Sequence, residues 1–219
     1  MKFSKTLITT AILGFSLASF HSTAWADTLE QQFQQGFEAA TREDYQTAFK
    51  LWLPLAEQGN ASAQYNLGVM YSKGQGVKQD DFEAVKWYRK AAEQGNASAQ
   101  YNLGVMYSKG QGVKQDYFEA VKWHSKAAEQ GYAGAQLYLG TMYDLGQGVK
   151  ENDYQACVWY QKAAEQGQPI GQQMLGSCYL YGKMSQKDRI QAKRWYGLAC
   201  DNGNQKGCEY YGKLNRGEL

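Results

Sequence analysis

Few residues in this 219-residue chain have the chemistry a catalyst needs. It contains two histidines, His21 and His124, and four cysteines, Cys157, Cys178, Cys200 and Cys208. A zinc protease of the HExxH type needs two histidines one helical turn apart, and these two are nowhere near that spacing. The cysteines stand 21, 22 and 8 positions apart, which matches no zinc-ligand signature. A serine nucleophile activated by lysine calls for Ser-x-x-Lys on one helical turn, and no such tetrad occurs. Gly-Gln-Gly-Val at 74–77, 110–113 and 146–149 has the look of a phosphate-cradling loop. A dinucleotide fingerprint, however, needs a third glycine and a preceding strand, so structural turns are the better reading. Glu93, Glu129 and Glu165 lie 36 residues apart near predicted helix ends and read as solvated surface. No catalytic, cofactor-binding or metal-binding set emerges. The net charge of +2 gives no electrostatic case for nucleic acid, and 43% hydrophobic content is enough for a packed core.

What does emerge is a period. Residues 60–95 and 96–131 are identical at 33 of 36 positions. Two further units follow, with Leu-Gly recurring at 67–68, 103–104, 139–140 and 175–176. Such a period is the mark of a repeat architecture. Within a unit, Ala63, Leu67, Met70 and Tyr71 share one helical face. Phe82, Val85, Trp87, Tyr88, Ala91 and Ala92 form a second apolar stretch at helical spacing. The pattern predicts helix A over about 61–73, a loop over 74–80 and helix B over about 81–94. Asn60, Asn96, Asp80 and Asp116 suit N-caps, and Gly95 a helix C-terminus. The capping role also takes precedence over reading Asn60-Ala61-Ser62 and Asn96-Ala97-Ser98 as glycosylation sites. Gly68 and its equivalents fall inside helix A, where glycine costs roughly 1 kcal/mol relative to alanine. Their recurrence implies close approach of a Trp or Tyr ring from helix B. His124 takes the place of Tyr88, Tyr160 and Tyr196, so packing is favoured over a role as base.

The pattern A-x3-LG-x2-Y-x2-G-x-GV-x2-D-x3-A-x2-WY-x-KAA-x2-G resembles the Sel1-like repeat, a relative of the tetratricopeptide repeat. Residues 60–203 carry it four times, as 60–95, 96–131, 132–167 and 168–203, with the last loop degenerate at Gly182-Lys183-Met184. The resemblance implies an all-α, right-handed solenoid of helical hairpins whose concave surface binds proteins. Residues 27–59 read as a divergent, tetratricopeptide-like first hairpin lacking the four-residue loop extension. Pro54 predicts a kink or early end in its second helix. Residues 204–219 read as a C-terminal capping helix and tail. The inner curve is expected to be lined by helix A residues off the packing face: Tyr65, Asn66, Val69, Ser72 and Lys73, then Tyr101, Asn102, Val105, Ser108 and Lys109, then Leu137, Tyr138, Thr141 and Asp144. Tyr and Asn combine rigid area with hydrogen bonding, which suits an interface.

Cys200 and Cys208 flank the turn at 203 and face each other across an antiparallel hairpin. Their spacing also resembles a disulfide of the cysteine-rich bacterial branch of this family, and a bridge is expected. Cys157 and Cys178 straddle the preceding turn at matching depth, but their helical phase leaves two outcomes open, a second bridge or two buried thiols. Residues 1–26 read as a secretory signal. Lys2 and Lys5 form a basic start, Leu7 to Phe20 an apolar stretch, and Ala24-Trp25-Ala26 a cleavage site. Its removal would take the net charge from +2 to zero and leave an exported chain, periplasmic or secreted, without stable membrane insertion. The leading function is a non-catalytic scaffold for a protein or peptide partner. The alternative implied by cysteine-rich relatives, a β-lactam-binding or cell-wall enzyme, lacks a nucleophile here. A purely self-associating structural protein is the third reading.

Overall fold

The structure, a computed structural model, describes residues 17–219, with side-chain surroundings given from residue 28. The proposed cleavage site at 24–26 and the leader before it lie outside the described side chains. Eleven α-helices follow one another among the described residues. They pair as hairpins: α1 (Leu17–Thr41) with α2 (Tyr45–Glu57), α3 (Ala61–Lys73) with α4 (Asp81–Glu93), α5 (Ala97–Lys109) with α6 (Tyr117–Glu129), α7 (Ala133–Leu145) with α8 (Asp153–Glu165), and α9 (Pro169–Tyr181) with α10 (Arg189–Asp201). α11 (Gln205–Arg216) closes the stack. Each helix packs on the one before and the one after it, giving a right-handed α-solenoid with no strands among the described residues.

The helix ends follow from the caps. The Asn60 and Asn96 side chains each accept the backbone N–H three residues on, at 2.9 Å, and Asp80, Asp116 and Asp188 accept two amides each. The odd-numbered helices from α3 to α9 stop at a left-handed glycine: Gly74, Gly110, Gly146 and Gly182. In the first hairpin only residues 42–44 separate the helices, against 74–80 in the next. Pro54 does not end α2 early. The helix runs on to Glu57, the position at which α4 ends one period later, and Gln58 N–H still donates to the Pro54 carbonyl at 3.1 Å. Pro54 sits in the last turn, and the carbonyl it fails to serve belongs to exposed Lys50, where water can replace the missing donor.

The glycine inside each first helix meets an aromatic ring of the second. A Cβ on Gly68 would lie 2.5 Å from Tyr88, on Gly140 2.7 Å from Tyr160, and on Gly176 2.9 Å from Tyr196. Gly36 meets Trp52 in the same way, and Gly104 meets His124 at 2.8 Å. Ala84, Ala120, Ala156 and Ala192 are fully buried in the second helices and keep the backbones close. Phe82 departs from the sequence reading: it lies 75% exposed, because it stands on the side of α4 turned away from the buried face of Ala84, Val85, Tyr88, Ala91 and Ala92. Leu137, expected on the inner surface, is instead buried in the core formed with Cys157 and Tyr160.

A second set of contacts joins the units. Gln64 Nε2 donates to the Ala56 carbonyl at the end of α2, and Gln94 Nε2 donates to Gln64 Oε1. The same chain of bonds recurs through Gln100 and Gln130, Gln136 and Gln166, and Gln172 and Asn202. Gln64, Gln100, Gln136 and Gln172 are buried, and each adds a second donor to a carbonyl in the last turn of the preceding helix that already accepts the N–H of the turn glycine. On the opposite edge, a Cβ on Gly112 or Gly148 would strike the backbone at the start of α4 or α6. The degenerate fourth loop has Met184 at that position and compensates with charge. Lys183 bonds Asp144 and Asp153, each at 2.8 Å, and so ties the loop to the start of α8.

Gly140→Ala gains helix propensity but must displace the Tyr160 ring. The net loss expected is about 1–3 kcal/mol, read as a lower urea midpoint. Gly212→Ala, where a Cβ would meet only the far end of the Arg216 side chain, is the contrasting case and should be neutral or stabilising by up to about 1 kcal/mol.

Candidate protein-binding surface

The helices that carry the expected surface are α3, α5 and α7. First helices of neighbouring units also touch each other, α3 with α5 and α9 with α11, and no pair of second helices does so to the same extent among the described residues. First helices of neighbouring units thus approach one another along one side of the stack.

Tyr65, Asn66, Val69 and Ser72 are all half-buried, as are Tyr101, Asn102, Val105, Ser108, Tyr138 and Thr141. They therefore form a seam, with one edge in the core and one edge in solvent. Tyr65 packs 6.0 Å from the Tyr88 ring, and both Tyr65 and Val69 rest on the cluster around Leu103. Asn102 and Ser72 lie near the Tyr88 hydroxyl, whose pKa burial raises above the ordinary tyrosine value. Ser177 plays the matching part for Tyr196 at 2.9 Å, while Thr141 lies 3.5 Å from the Tyr160 hydroxyl. Small polar groups on the seam thus satisfy the phenols that fill the space above each glycine. Lys73 and Lys109 are exposed beside it, whereas Asp144 is engaged by Lys183.

The unit of α5 and α6 differs at its centre. His124 is fully buried, and neither ring nitrogen has a hydrogen-bond partner. It stacks on Tyr138 at 5.2 Å and lies 5.7 Å from Tyr101, which in turn meets Tyr132 at 5.0 Å. The imidazole is too short to carry a polar atom to where the Tyr88 hydroxyl would reach. Loss of solvent lowers its pKa from 6.5 to about 4, so it stays neutral. It has no carboxylate to orient it and no nucleophile beside it, and its contacts are those of a packing residue.

Both cysteine pairs are bridged, and no free cysteine remains. Cys200 and Cys208 join α10 to α11 with Cα atoms 4.4 Å apart. Cys157 and Cys178 join α8 to α9 at 5.9 Å and are almost completely buried. The signal for this second bridge lies in the repeat columns. Cys157 stands where earlier units have Val85 and Val121, and Cys178 where they have Met70, Met106 and Met142. Val85 and Met106 share one core cluster, so the bridge replaces a buried contact between a second helix and the next first helix. Two such bonds persist in oxidising compartments. Among the described residues no helix is long and apolar enough to cross a membrane, and no group of His, Cys, Asp or Glu could hold a metal ion.

The fold and the seam define a repeat solenoid of α-hairpins related to tetratricopeptide arrays. A sequence description of the Sel1 repeat matches residues 33–60, 61–96, 97–132, 133–168 and 169–204, and the chain belongs to the Sel1 repeat family. The shortened first hairpin is thus counted as a repeat. No curated protein matches the chain. Among solved structures, c5321, a protective antigen of uropathogenic Escherichia coli displaying an SLR fold, is 36% identical with a TM-score of 0.84. That match covers 93% of this chain but 44% of the E. coli protein, so the chain spans less than half of that relative. A Sel1 repeat protein from Oxalobacter formigenes is 36% identical, with a TM-score of 0.77 and coverage of 83% of this chain and 74% of its own. A putative Sel1 repeat protein from Klebsiella pneumoniae shares the fold at 22% identity and a TM-score of 0.55, over 90% of this chain and 98% of its own. Proteins of this family generally bind other proteins.

Two measurements test the interior. Thiol titration of the unfolded, unreduced protein should find none free, and the Cys157→Ser, Cys178→Ser pair should lose about 3 kcal/mol of stability. His124 has a folded pKa below its unfolded one. The stability of its neutral form is fully present above pH 6.5 and is lost as pH falls toward 4, at up to about 1.4 kcal/mol per pH unit. Urea midpoints at pH 7.5 and 5 should therefore differ more in the wild type than in His124→Tyr, and equal differences would remove His124 as the cause.

Proposed function

We propose that this protein is a non-catalytic, exported scaffold that holds a protein or peptide partner on the inner face of the solenoid. The observation that carries this reading is the seam itself. The half-buried set Tyr65, Asn66, Val69 and Ser72 of α3 recurs unchanged as Tyr101, Asn102, Val105 and Ser108 on α5, and in part as Tyr138 and Thr141 on α7. Such side chains lose little conformational freedom on binding, because packing has already restricted them. Their mixture of aromatic area and hydrogen-bonding groups is that of interface cores. The family's general use as protein-binding scaffolds agrees with this. Export is supported by the leader-like start of the sequence and by the two disulfides, with the periplasm the first compartment to examine.

The test uses solvent-facing members of the seam so that the fold survives. Tyr101 is unsuitable, since it braces Tyr132, Tyr138 and His124. Val105→Arg with Lys109→Glu keeps the core intact and changes both shape and charge on the inner face. Crosslinking and affinity recovery from the native cell envelope should yield partners with the wild type that drop at least tenfold with the variant, while circular dichroism stays unchanged. Equal recovery of every partner would move the binding site off this face.

A further inference from the structure

The second residue of each complete second helix is apolar and exposed. Phe82, Phe118, Tyr154 and Ile190 are 75, 76, 53 and 80% accessible. The fold does not require this, because the first hairpin has exposed Gln46 at the same position. The four side chains form a row along the loop edge, away from the inner seam. At the C-terminal end the row opens into a groove of about 440 Å³ between α10 and α11, where Ile190 joins Leu198 and Tyr211.

The charge around the row changes at that end. In α4 and α6 the cation four residues after the exposed apolar side chain is neutralised, Lys86 by Glu83 at 3.1 Å and Lys122 by Glu119 at 2.9 Å, while α8 has no cation there but Val158, with Gln155 at the glutamate position. In the last unit the cation is Arg194, and the residue in the place of the glutamate is Gln191. Arg194 lies over the Trp195 ring and Lys193 over Tyr211, and neither has an ion-pair partner among the described residues. Arg189 stands where Asp81 and Asp153 stand earlier. Asp201 is the one acidic residue of the groove lining. An apolar floor rimmed by unneutralised cations fits a ligand of opposite pattern.

We propose that this groove binds an acidic peptide segment of a partner protein, with one bulky apolar side chain seated among Ile190, Leu198 and Tyr211 and its flanking carboxylates on Lys193 and Arg194. The site is separate from the inner seam, so loss at one leaves the other intact. Cations already desolvated on one side by aromatic rings favour carboxylates over neutral ligands. Apolar burial supplies the remainder of the affinity, and the neutral units upstream add none of the charge preference.

Fluorescence anisotropy tests it with a labelled Asp-Glu-Phe-Asp-Glu peptide, a Phe→Ala version and a version with lysine in place of every acid. The first should bind with a Kd on the order of 10–100 µM at low salt, which suits a short peptide. The other two should bind at least tenfold more weakly. Lys193→Gln with Arg194→Gln, both exposed and harmless to the core, should weaken the first peptide about tenfold or more, as should 0.5 M salt. No saturable binding up to 1 mM, or binding unchanged in the double variant, overturns the proposal. So does a concentration-dependent mass in light scattering that the same variant abolishes, because the groove would then belong to a second copy of the chain.

Discussion

The fold rests on a contact made by a missing atom. In every hairpin a glycine of the first helix lies under an aromatic ring of the second, and a Cβ there would overlap the ring. The ring fixes the distance between the helices, the buried alanines allow it, and the phenol hydroxyl reaches the far side of the first helix. The seam exists because those hydroxyls need partners, which the small polar residues supply. Stability and surface are therefore aspects of one arrangement. Helix propensity lost at the glycine is offset by ring burial, since a fully buried aromatic contributes several times the roughly 1 kcal/mol that glycine costs.

Much of this was legible in the residues. The period, the helix limits, the caps and the glycine–ring contact all follow from local chemistry repeated at 36-residue spacing. What escaped was set by three-dimensional phase. Phe82 is apolar and at the start of an apolar helix, yet it stands on the solvent side, off the face that carries Ala84, Tyr88 and Ala91. Pro54 looks like a helix breaker but occupies the final turn, where the orphaned carbonyl faces water. The bridge between Cys157 and Cys178 was undecided from turn symmetry alone, because side-chain direction depends on how α8 and α9 are rotated. Comparing whole repeat columns would have pointed to it, as the cysteines stand where Val85 and Met106 share one core cluster two units earlier. The buried glutamines carried a signal as well: Gln64, Gln100, Gln136 and Gln172 never vary among the four units, and a polar residue held constant amid apolar neighbours implies a fixed bonding partner.

The candidate surface was only partly legible for the same reason. Residue type identified Tyr65, Asn66, Tyr101 and Asn102 as unlike ordinary solvated helix, but not that each has one side committed to the core. That commitment separates two kinds of position on the seam. Some, such as Tyr101, brace the neighbouring unit, and others, such as Val105, can meet a partner without disturbing the packing. The end of the chain follows a different logic. There α11 is clamped to α10 by the Cys200–Cys208 bond, and the glutamates that neutralise α4 and α6 give way to Gln191, with Arg189 in the place of Asp153.

The glutamine chain has a consequence for the length of the molecule. Each unit is locked to its predecessor by a bond from Gln64 or its counterpart to a carbonyl that every unit presents at the same place. Residues 60–95 and 96–131 are nearly identical, so removing or copying 36 residues here joins surfaces that already match. The two ends, the short first hairpin and the disulfide-clamped last helix, would be untouched. The protein is thus built as a ruler with interchangeable middle segments. Unequal crossing-over in its gene could alter the span between its two ends without requiring a new interface to evolve.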